Sequence, residues 1–488
     1  MGSKGSRANR QPMIQKNINS IEWFLDDVGL SGHLEDIKPD ETERRGYRTL
    51  YFKEKRFFLK SFHEKGIVGI LRGRIAPRGK KEYEMGKKLL ALSIPTPEPV
   101  GYGLGPKTSY IIEEFIEGKD FLHAFDNNKD RIFLLERLAR LLSSLRSCGV
   151  RHNDLHLENI IWSKNDLYLI DLHKMDIKKT FTEDDEVSNL SHSLAMIYDR
   201  MTDEERMAFF NAYGNYAIKN RVHREIKDMR MKWVASKKAR AFRETSITKK
   251  EGDIIYLKGH HGIVEGTFTE TIKKDKKTEV LRYTDHVRKI YRNKRRLKRA
   301  WKAGVVFVYM GLHMTPQVYY IKMPFGLSKG FISMEDLKGK GEELDRFLDR
   351  NYRDMTLYEK RAFINGLAEF FSNLFRRDIV HWDMKGCNIF VKKEGGFLLL
   401  DLEDIDFREV DDKIIVRMFC QLNITIPAFI KNTDRMRFFL KATEGLGLNR
   451  KAIERDIAKQ SQQSEIVYEG KDGLKIERFR IWGHGKIK

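Results

Sequence analysis

One pattern constrains this chain more than any other, because it occurs twice. Residues 149–177, GVRHNDLHLENIIWSKNDLYLIDLHKMDI, place His152, Asp154 and Asn159 in one short polar loop, follow it with an apolar strand, and end that strand on Asp171. Residues 379–407, IVHWDMKGCNIFVKKEGGFLLLDLEDIDF, do the same with His381, Asp383, Asn388 and Asp401. Asp383 lies 229 residues after Asp154, and Asp401 lies 230 after Asp171. Polar residues that only cap turns have no reason to return at matched offsets, whereas a duplicated unit does. A chain of 488 residues has room for two domains with their own cores. The reading is a flexible basic tail over 1–19, a first domain over 20–245 and a second over 246–488, with the boundary between Ala241 and Asp253.

The segments leading to each loop should build its surroundings. Ile21, Phe24, Leu25 and Val28 are spaced for a short helix within 18–37. The period then changes to two, and residues 47–62, YRTLYFKEKRFFLKSF, predict two strands joined by a tight turn at Lys53 to Lys55, the second carrying Lys60. A basic, glycine-containing loop over 66–81 precedes a helix, KEYEMGKKLLAL, that stops before Ile94-Pro95-Thr96-Pro97. On it Glu82, Gly86 and Leu89 share one face at i, i+4 and i+7, so Glu82 points where the apolar residues point. An acid aimed inward needs a partner, and Lys60 is the natural one; otherwise Glu82 is a solvated helix charge. A strand over 110–117 and a helix over 131–148, with Ile132, Leu135, Leu138, Leu142 and Leu145 on one face, deliver the chain to the first loop. After it a polar segment, 180–193, leads into helices to about Ala241. The second half reads as strands over 253–258 and 278–283, a very basic helix over 287–310, and a helix over 358–377 with Phe363, Leu367, Phe370 and Leu374 inward.

This is a set of groups suited to phosphoryl transfer. Such transfer needs a carboxylate to orient or deprotonate the attacking hydroxyl, oxygen ligands for magnesium on the phosphates, and a lysine to fix the phosphate chain. Asp154 has the place of the base, with Asn159 and Asp171 as ligands for hard, oxygen-seeking Mg2+. Lys60, held by Glu82, would contact the phosphates. Asp383, Asn388 and Asp401 repeat the base and ligand positions. His152 reads as a structural hydrogen-bonding residue of the loop, and His156 and His173 as structural or substrate-adjacent.

HNDLHLEN followed by LYLIDL resembles the catalytic loop and metal-binding segment of the protein-kinase-like superfamily. The hairpin ending in FFLK, the helix KEYEMGKKLLAL and the IPTPEP after it are similar to one branch, the lipopolysaccharide kinases that phosphorylate heptose or Kdo sugars of the bacterial inner core. The resemblance covers residues 47–175 well and the rest loosely. It implies an α+β fold of two tandem protein-kinase-like domains, each a small β-rich N-lobe and a larger helical C-lobe, using ATP and Mg2+ on a lipopolysaccharide-core sugar. Neither half has the A-P-E segment of eukaryotic-type protein kinases, and the first half has Gly46 but no G-x-G-x-x-G loop.

The second half departs from the pattern ahead of its loop. Aligning the proline-containing segments puts Trp301 in the place of Glu82, with no acid nearby on that helix, and leaves Arg282 or Lys258 for the lysine. Arginine does not simply replace lysine, since its planar fork presents charge differently. The first half is therefore the more complete site, and the second is an altered or degenerate copy.

Charge bears on the partner. The chain carries +22, of which residues 221–302 hold +16, with 26 Lys and Arg against 10 Asp and Glu. This run suits an anionic membrane surface or a phosphorylated glycolipid, with nucleic acid the less favoured partner and a solvated helix face the plain alternative. Cys148, Cys387 and Cys420 have neither disulfide nor zinc spacing, which fits a reducing compartment. No apolar run approaches bilayer length, no signal-peptide pattern opens the chain, and MGSKGS matches a myristoylation pattern. The expectation is a cytoplasmic protein, peripheral at the inner membrane. Competing readings are a protein or small-molecule kinase of the same superfamily and a pseudokinase-like scaffold on an anionic surface.

Overall fold

The computed structural model describes residues 13–37, 45–63, 75–260, 266–324, 329–462 and 464–478. The chain divides into two compact units, 1–226 and 227–488, the division falling inside the helix Lys219–Arg240. The residues expected to form most of the glycine-containing loop, 64–74, and the first twelve residues lie outside the described ones.

The first unit opens with a six-stranded antiparallel sheet. Its strands are β1 (Ile14–Ile18), β2 (Ile21–Leu25), β3 (Arg45–Phe52), β4 (Lys55–His63), β5 (Pro99–Leu104) and β6 (Thr108–Glu114), in the order β1-β2-β5-β6-β4-β3. Two expectations are corrected here. Residues 21–25 form a strand, not a helix, because Ile21, Trp23 and Leu25 are fully buried on one face with period two. Residues 14–18 pair with it, so the tail does not extend to residue 19. The β3–β4 hairpin is as expected, with Lys53 and Glu54 both at positive φ, the pair of left-handed residues that matches the twist of a two-residue turn.

The helix α1 (Arg78–Ala91) packs on this sheet. Its first turn lies against β6 so closely that a Cβ on Gly79 would stand 2.2 Å from the Tyr110 carbonyl oxygen, and the Gly79 amide donates to Ser109 Oγ at 3.1 Å. Glycine is what lets the helix seat there, and the seat decides where Glu82 points.

The helical part follows. Arg131–Ser147 buries Leu134, Leu135, Leu138, Leu141, Leu142 and Leu145 in a core shared with Phe209, Phe210 and Tyr213. The polar segment expected over 180–193 is itself mostly helix, Glu183–Leu194, opened by a capping box in which Thr182 and Asp185 satisfy each other's amides. Its buried Asp185 accepts from Arg151 and Lys178, which ties the helix to the strand bearing His152.

In the second unit a seven-stranded sheet runs in the order Thr248–Glu251, Ile254–Leu257, Val318–Lys322, Gly330–Met334, Val287–Tyr291, Thr278–Tyr283, Phe268–Lys274. The basic helix expected over 287–310 begins only at Lys294. Residues 287–291 are a strand instead, with Val287, Lys289 and Tyr291 inward, and Asn293 caps the helix by accepting from the Arg295 and Arg296 amides. The helices Leu357–Arg376, Asp412–Asn423, Asn432–Ala442 and Arg450–Gln462 contribute to one large core. No helix among the described residues is long and apolar enough to cross a membrane.

Candidate active site

In the first unit the chemistry gathers where the sheet meets the loop. Lys60 comes from β4, Glu82 from α1, and Asp171 from the end of the hairpin Ile160–Ser163 and Asp166–Leu169. Lys60 Nζ lies 2.9 Å from Glu82 Oε1 and 2.6 Å from Asp171 Oδ1, and all three are buried. Burial alone would lower the lysine, but Glu82 and then Asp171 hold its ammonium above the ordinary lysine range. Burial likewise opposes the Asp171 carboxylate, yet bonds from His173 and Lys60 keep it well below the usual carboxylate range. Asp171 has φ 61° and ψ 47°, a left-handed backbone that a non-glycine residue adopts only when its surroundings impose it.

His173 and Glu113 complete the cluster. His173 Nδ1 is 3.1 Å from Asp171 and 3.4 Å from Glu82; burial would lower it, but those two carboxylates raise it above the ordinary histidine value. Glu82, Asp171 and His173 are close enough together to hold a metal ion, but the Lys60 ammonium already stands between the two acids, so the group is an ion-pair network. Glu113, buried on β6, is pushed up to about 8 by desolvation and then by Glu82.

Asp154 lies in the loop with Asn159, whose Nδ2 donates to the Asp154 carbonyl at 2.9 Å. Its carboxylate, opposed by burial, is lowered by Lys174 and His156, each on one oxygen. It is thus ionised and half-buried, as a group that takes a hydroxyl proton must be. His152 Nδ1 accepts from the Asp154 amide at 3.1 Å, and burial lowers its pKa to about 4, so the neutral ring shapes the loop. An amide oxygen from Asn159 and a carboxylate from Asp171 form a donor pair that suits Mg2+.

The hydrogen bonds of this loop recur in the second unit. Asn388 Nδ2 donates to the Asp383 carbonyl at 2.7 Å, and the Asp383 amide donates to His381 Nδ1 at 3.3 Å. Ile170 N donates to Asn159 O and Leu400 N to Asn388 O, while Leu169 N reaches Pro95 O and Leu399 N reaches Met314 O. Asp401 repeats the left-handed backbone with φ 50°. Lys385 Nζ sits 2.9 Å from Asp383, at the position His156 has in the first loop.

The lysine of the second unit is neither of those expected. Arg282 binds Glu270 and Asp336, and Lys258 is exposed just past its strand. Lys289 stands there instead, with Nζ 2.6 Å from Asp401 and 2.9 Å from Glu403. Trp301 is fully buried where the alignment places it, and donates Nε1 to Ala241 O at 2.8 Å. The missing acid comes from the D-L-E segment after Asp401. Sequence reasoning passed over Lys289 because residues 287–291 read as helix; the alternation Val287, Lys289, Tyr291 was the signal. Glu113 was missed although it shares the inward face of its strand with Ile111. Lys174 was missed too, and sequence shows no signal for it.

Part of the basic run is internal. Arg296 binds Glu403 and Asp404, Arg299 binds Asp404, Lys238 binds Asp406 and Arg230 binds Asp378.

No curated protein sequence matches the chain. Among solved structures it is similar to "WaaP in complex with acyl carrier protein", at 18% identity over 42% of this chain and 88% of that one, with a TM-score of 0.30. It is also similar to an aminoglycoside-3'-phosphotransferase of type VIII, at 15% identity over 36% and 84%, with a TM-score of 0.28. Residues 39–213 match the model of the lipopolysaccharide kinase (Kdo/WaaP) family, a stretch that contains Lys60, Glu82, Asp154, Asn159 and Asp171. This match supports a kinase.

Proposed function

We propose that the protein transfers the γ-phosphoryl group of ATP, with Mg2+, to a sugar hydroxyl of the lipopolysaccharide inner core. The observation that carries the reading is the Lys60–Glu82–Asp171 cluster, which fixes one ammonium and one ionised carboxylate beside the loop of Asp154 and Asn159. Asp154 receives the acceptor's proton, Asn159 and Asp171 would hold Mg2+, and Lys60 orients the phosphates. When bound, the ion would supply positive charge to the phosphate oxygens. The family match over residues 39–213 supports the acceptor class.

The second unit is a second, altered kinase-like domain, with Asp383 as base and Asn388 and Asp401 as metal ligands. The loop hydrogen bonds and left-handed aspartate that recur there support the duplication. The protein works in the cytoplasm at the inner membrane surface. Lys273, Lys274, Lys276, Lys277, Arg292, Lys294 and Arg295 are exposed, and the Arg292 amide donates to Lys277 O, so two basic runs adjoin and suit anionic headgroups. Incubation with ATP, Mg2+ and purified inner-core glycolipid tests the reading. Phosphate transfer that Asp154→Asn abolishes is expected; no transfer to any such acceptor would sink it.

A further inference from the structure

The second unit holds its lysine by a different device from the first. Lys60 is paired by Glu82 on α1, so that pair exists only while the helix is seated on the sheet. At the matching helix position Trp301 offers no carboxylate. Lys289 is held instead by Glu403, two residues beyond Asp401 on the same short segment. Glu403 is 1% exposed and is itself fixed by three donors. Lys289 Nζ lies 2.9 Å from it, the Tyr291 hydroxyl donates at 3.0 Å, and Arg296 Nη2 donates at 3.1 Å. A buried carboxylate with that many charged and polar partners has little freedom to leave them.

Lys289 and Asp401 line a cleft of about 500 Å³ in the second unit. Val280, Val287, Met334, Phe390 and Leu400 supply apolar wall, while Arg282, Asp336, Glu343, Arg346 and Arg350 supply charged wall. Met334 marks a contrast with the first unit. Ile332 pairs across from Lys289 as Ile111 pairs across from Lys60, and two residues further on the first unit has the buried acid Glu113 where the second has Met334. The second cleft therefore sets the fixed Lys289 ammonium and the Asp401 carboxylate beside apolar residues, with further charged residues of both signs on its remaining walls. The apolar part takes a flat heteroaromatic ring, and the ammonium takes phosphate oxygens.

We propose that the second unit binds its own nucleoside triphosphate in this cleft, with Glu403 as the positioning residue for Lys289 in place of a helix glutamate. This rests on the reading of residues 227–488 as a kinase-like domain. The chain then carries two nucleotide sites, and the lysine of the second is set without a helix carboxylate.

Calorimetric titration of the full chain with Mg2+ and a non-hydrolysable ATP analogue tests this. Wild type should bind two equivalents, and a Lys60→Ala/Asp171→Asn variant should bind one. Adding Glu403→Gln to that variant should weaken the remaining site about tenfold or more, since a hydrogen-bonded charge partner is lost, whereas adding Glu82→Gln should leave it unchanged. A lysine-reactive adenosine sulfonyl fluoride, mapped by mass spectrometry, should modify Lys289 in the Lys60→Ala/Asp171→Asn background, with protection by the analogue. Labelling should fall with Glu403→Gln but persist in Trp301→Phe, which removes only the indole donor to Ala241 O and leaves Lys289, Glu403 and Arg296 in place. The labelling of the Glu403-intact protein keeps the proposal testable if Glu403→Gln does not fold. One equivalent in wild type and none in the Lys60→Ala/Asp171→Asn variant would overturn the second site while leaving the first unit's activity in place. Wild type that neither binds nucleotide nor transfers phosphate would overturn the proposed function as well. Undiminished affinity and Lys289 labelling in Glu403→Gln would overturn the positioning role.

Discussion

Replacing Lys60 by methionine asks the most of the site. The side chain keeps its length and loses the ammonium that stands 2.9 Å from Glu82 and 2.6 Å from Asp171. Both carboxylates are buried, with Glu113 beside them. Removing one partner of a buried ion pair costs about 3–5 kcal/mol, because the other charge is stranded. Here the cost should sit near the lower end, about 3 kcal/mol, because His173 lies within 3.4 Å of both acids and supplies a second cation when protonated. For a unit of this size that is a fall in melting temperature of about 6–12 °C. The pH dependence follows from His173, whose folded pKa is raised above 6.5. A raised group adds stability that is fully present below its unfolded value and is lost as pH rises through the folded one. Lys60→Met should therefore be hurt more at pH 9 than at pH 6. Thermal unfolding across that range, alongside phosphate transfer, is the assay. A variant that melts with wild type at every pH and keeps its transfer rate would refute the cluster as the organising element of the site.

Asp154→Asn should cut phosphate transfer by about 10²–10⁴, the range of a lost general base, with the melting temperature nearly unchanged because the side chain is half-buried; Asp383→Asn measured beside it reports the second unit's share of turnover. Gly79→Ala forces a Cβ to within 2.2 Å of the Tyr110 carbonyl oxygen and should cost about 1–3 kcal/mol or more, read by chemical denaturation, together with transfer activity, since α1 carries Glu82 away from Lys60. Chelation of divalent ions should abolish transfer and Mg2+ restore it, while the melting temperature without nucleotide stays where it was, because the buried charges of the Lys60 cluster already neutralise one another.

Much of the site was legible because its parts are short-range. The spacing from Asp154 to Asn159 and on to Asp171 lies within one loop and one hairpin, so local periodicity places all three, and its return in residues 379–407 sets the loop apart from ordinary turn chemistry. The inward face of Glu82 follows from 3.6-residue periodicity, and its pairing with Lys60 is the one long-range contact that needed only the rule that a buried acid takes a partner. The misreadings share a different cause. Ile21 to Val28 and Val287 to Tyr291 are short apolar runs in which helix and strand patterns overlap, and pairing with neighbouring strands decided both.

What the sequence by itself determined is the recurrence of the loop pattern, the residues proposed for its chemistry, and the pairing of Lys60 with Glu82, since these follow from residue type and spacing. Only the tertiary structure decided which lysine stands beside Asp401. Nothing in the spacing of Lys289 and Glu403, 114 residues apart, announces that they meet; strand register and the left-handed turn at Asp401 bring them together. The same holds for Glu113, whose raised pKa comes from desolvation and then from Glu82, both products of packing.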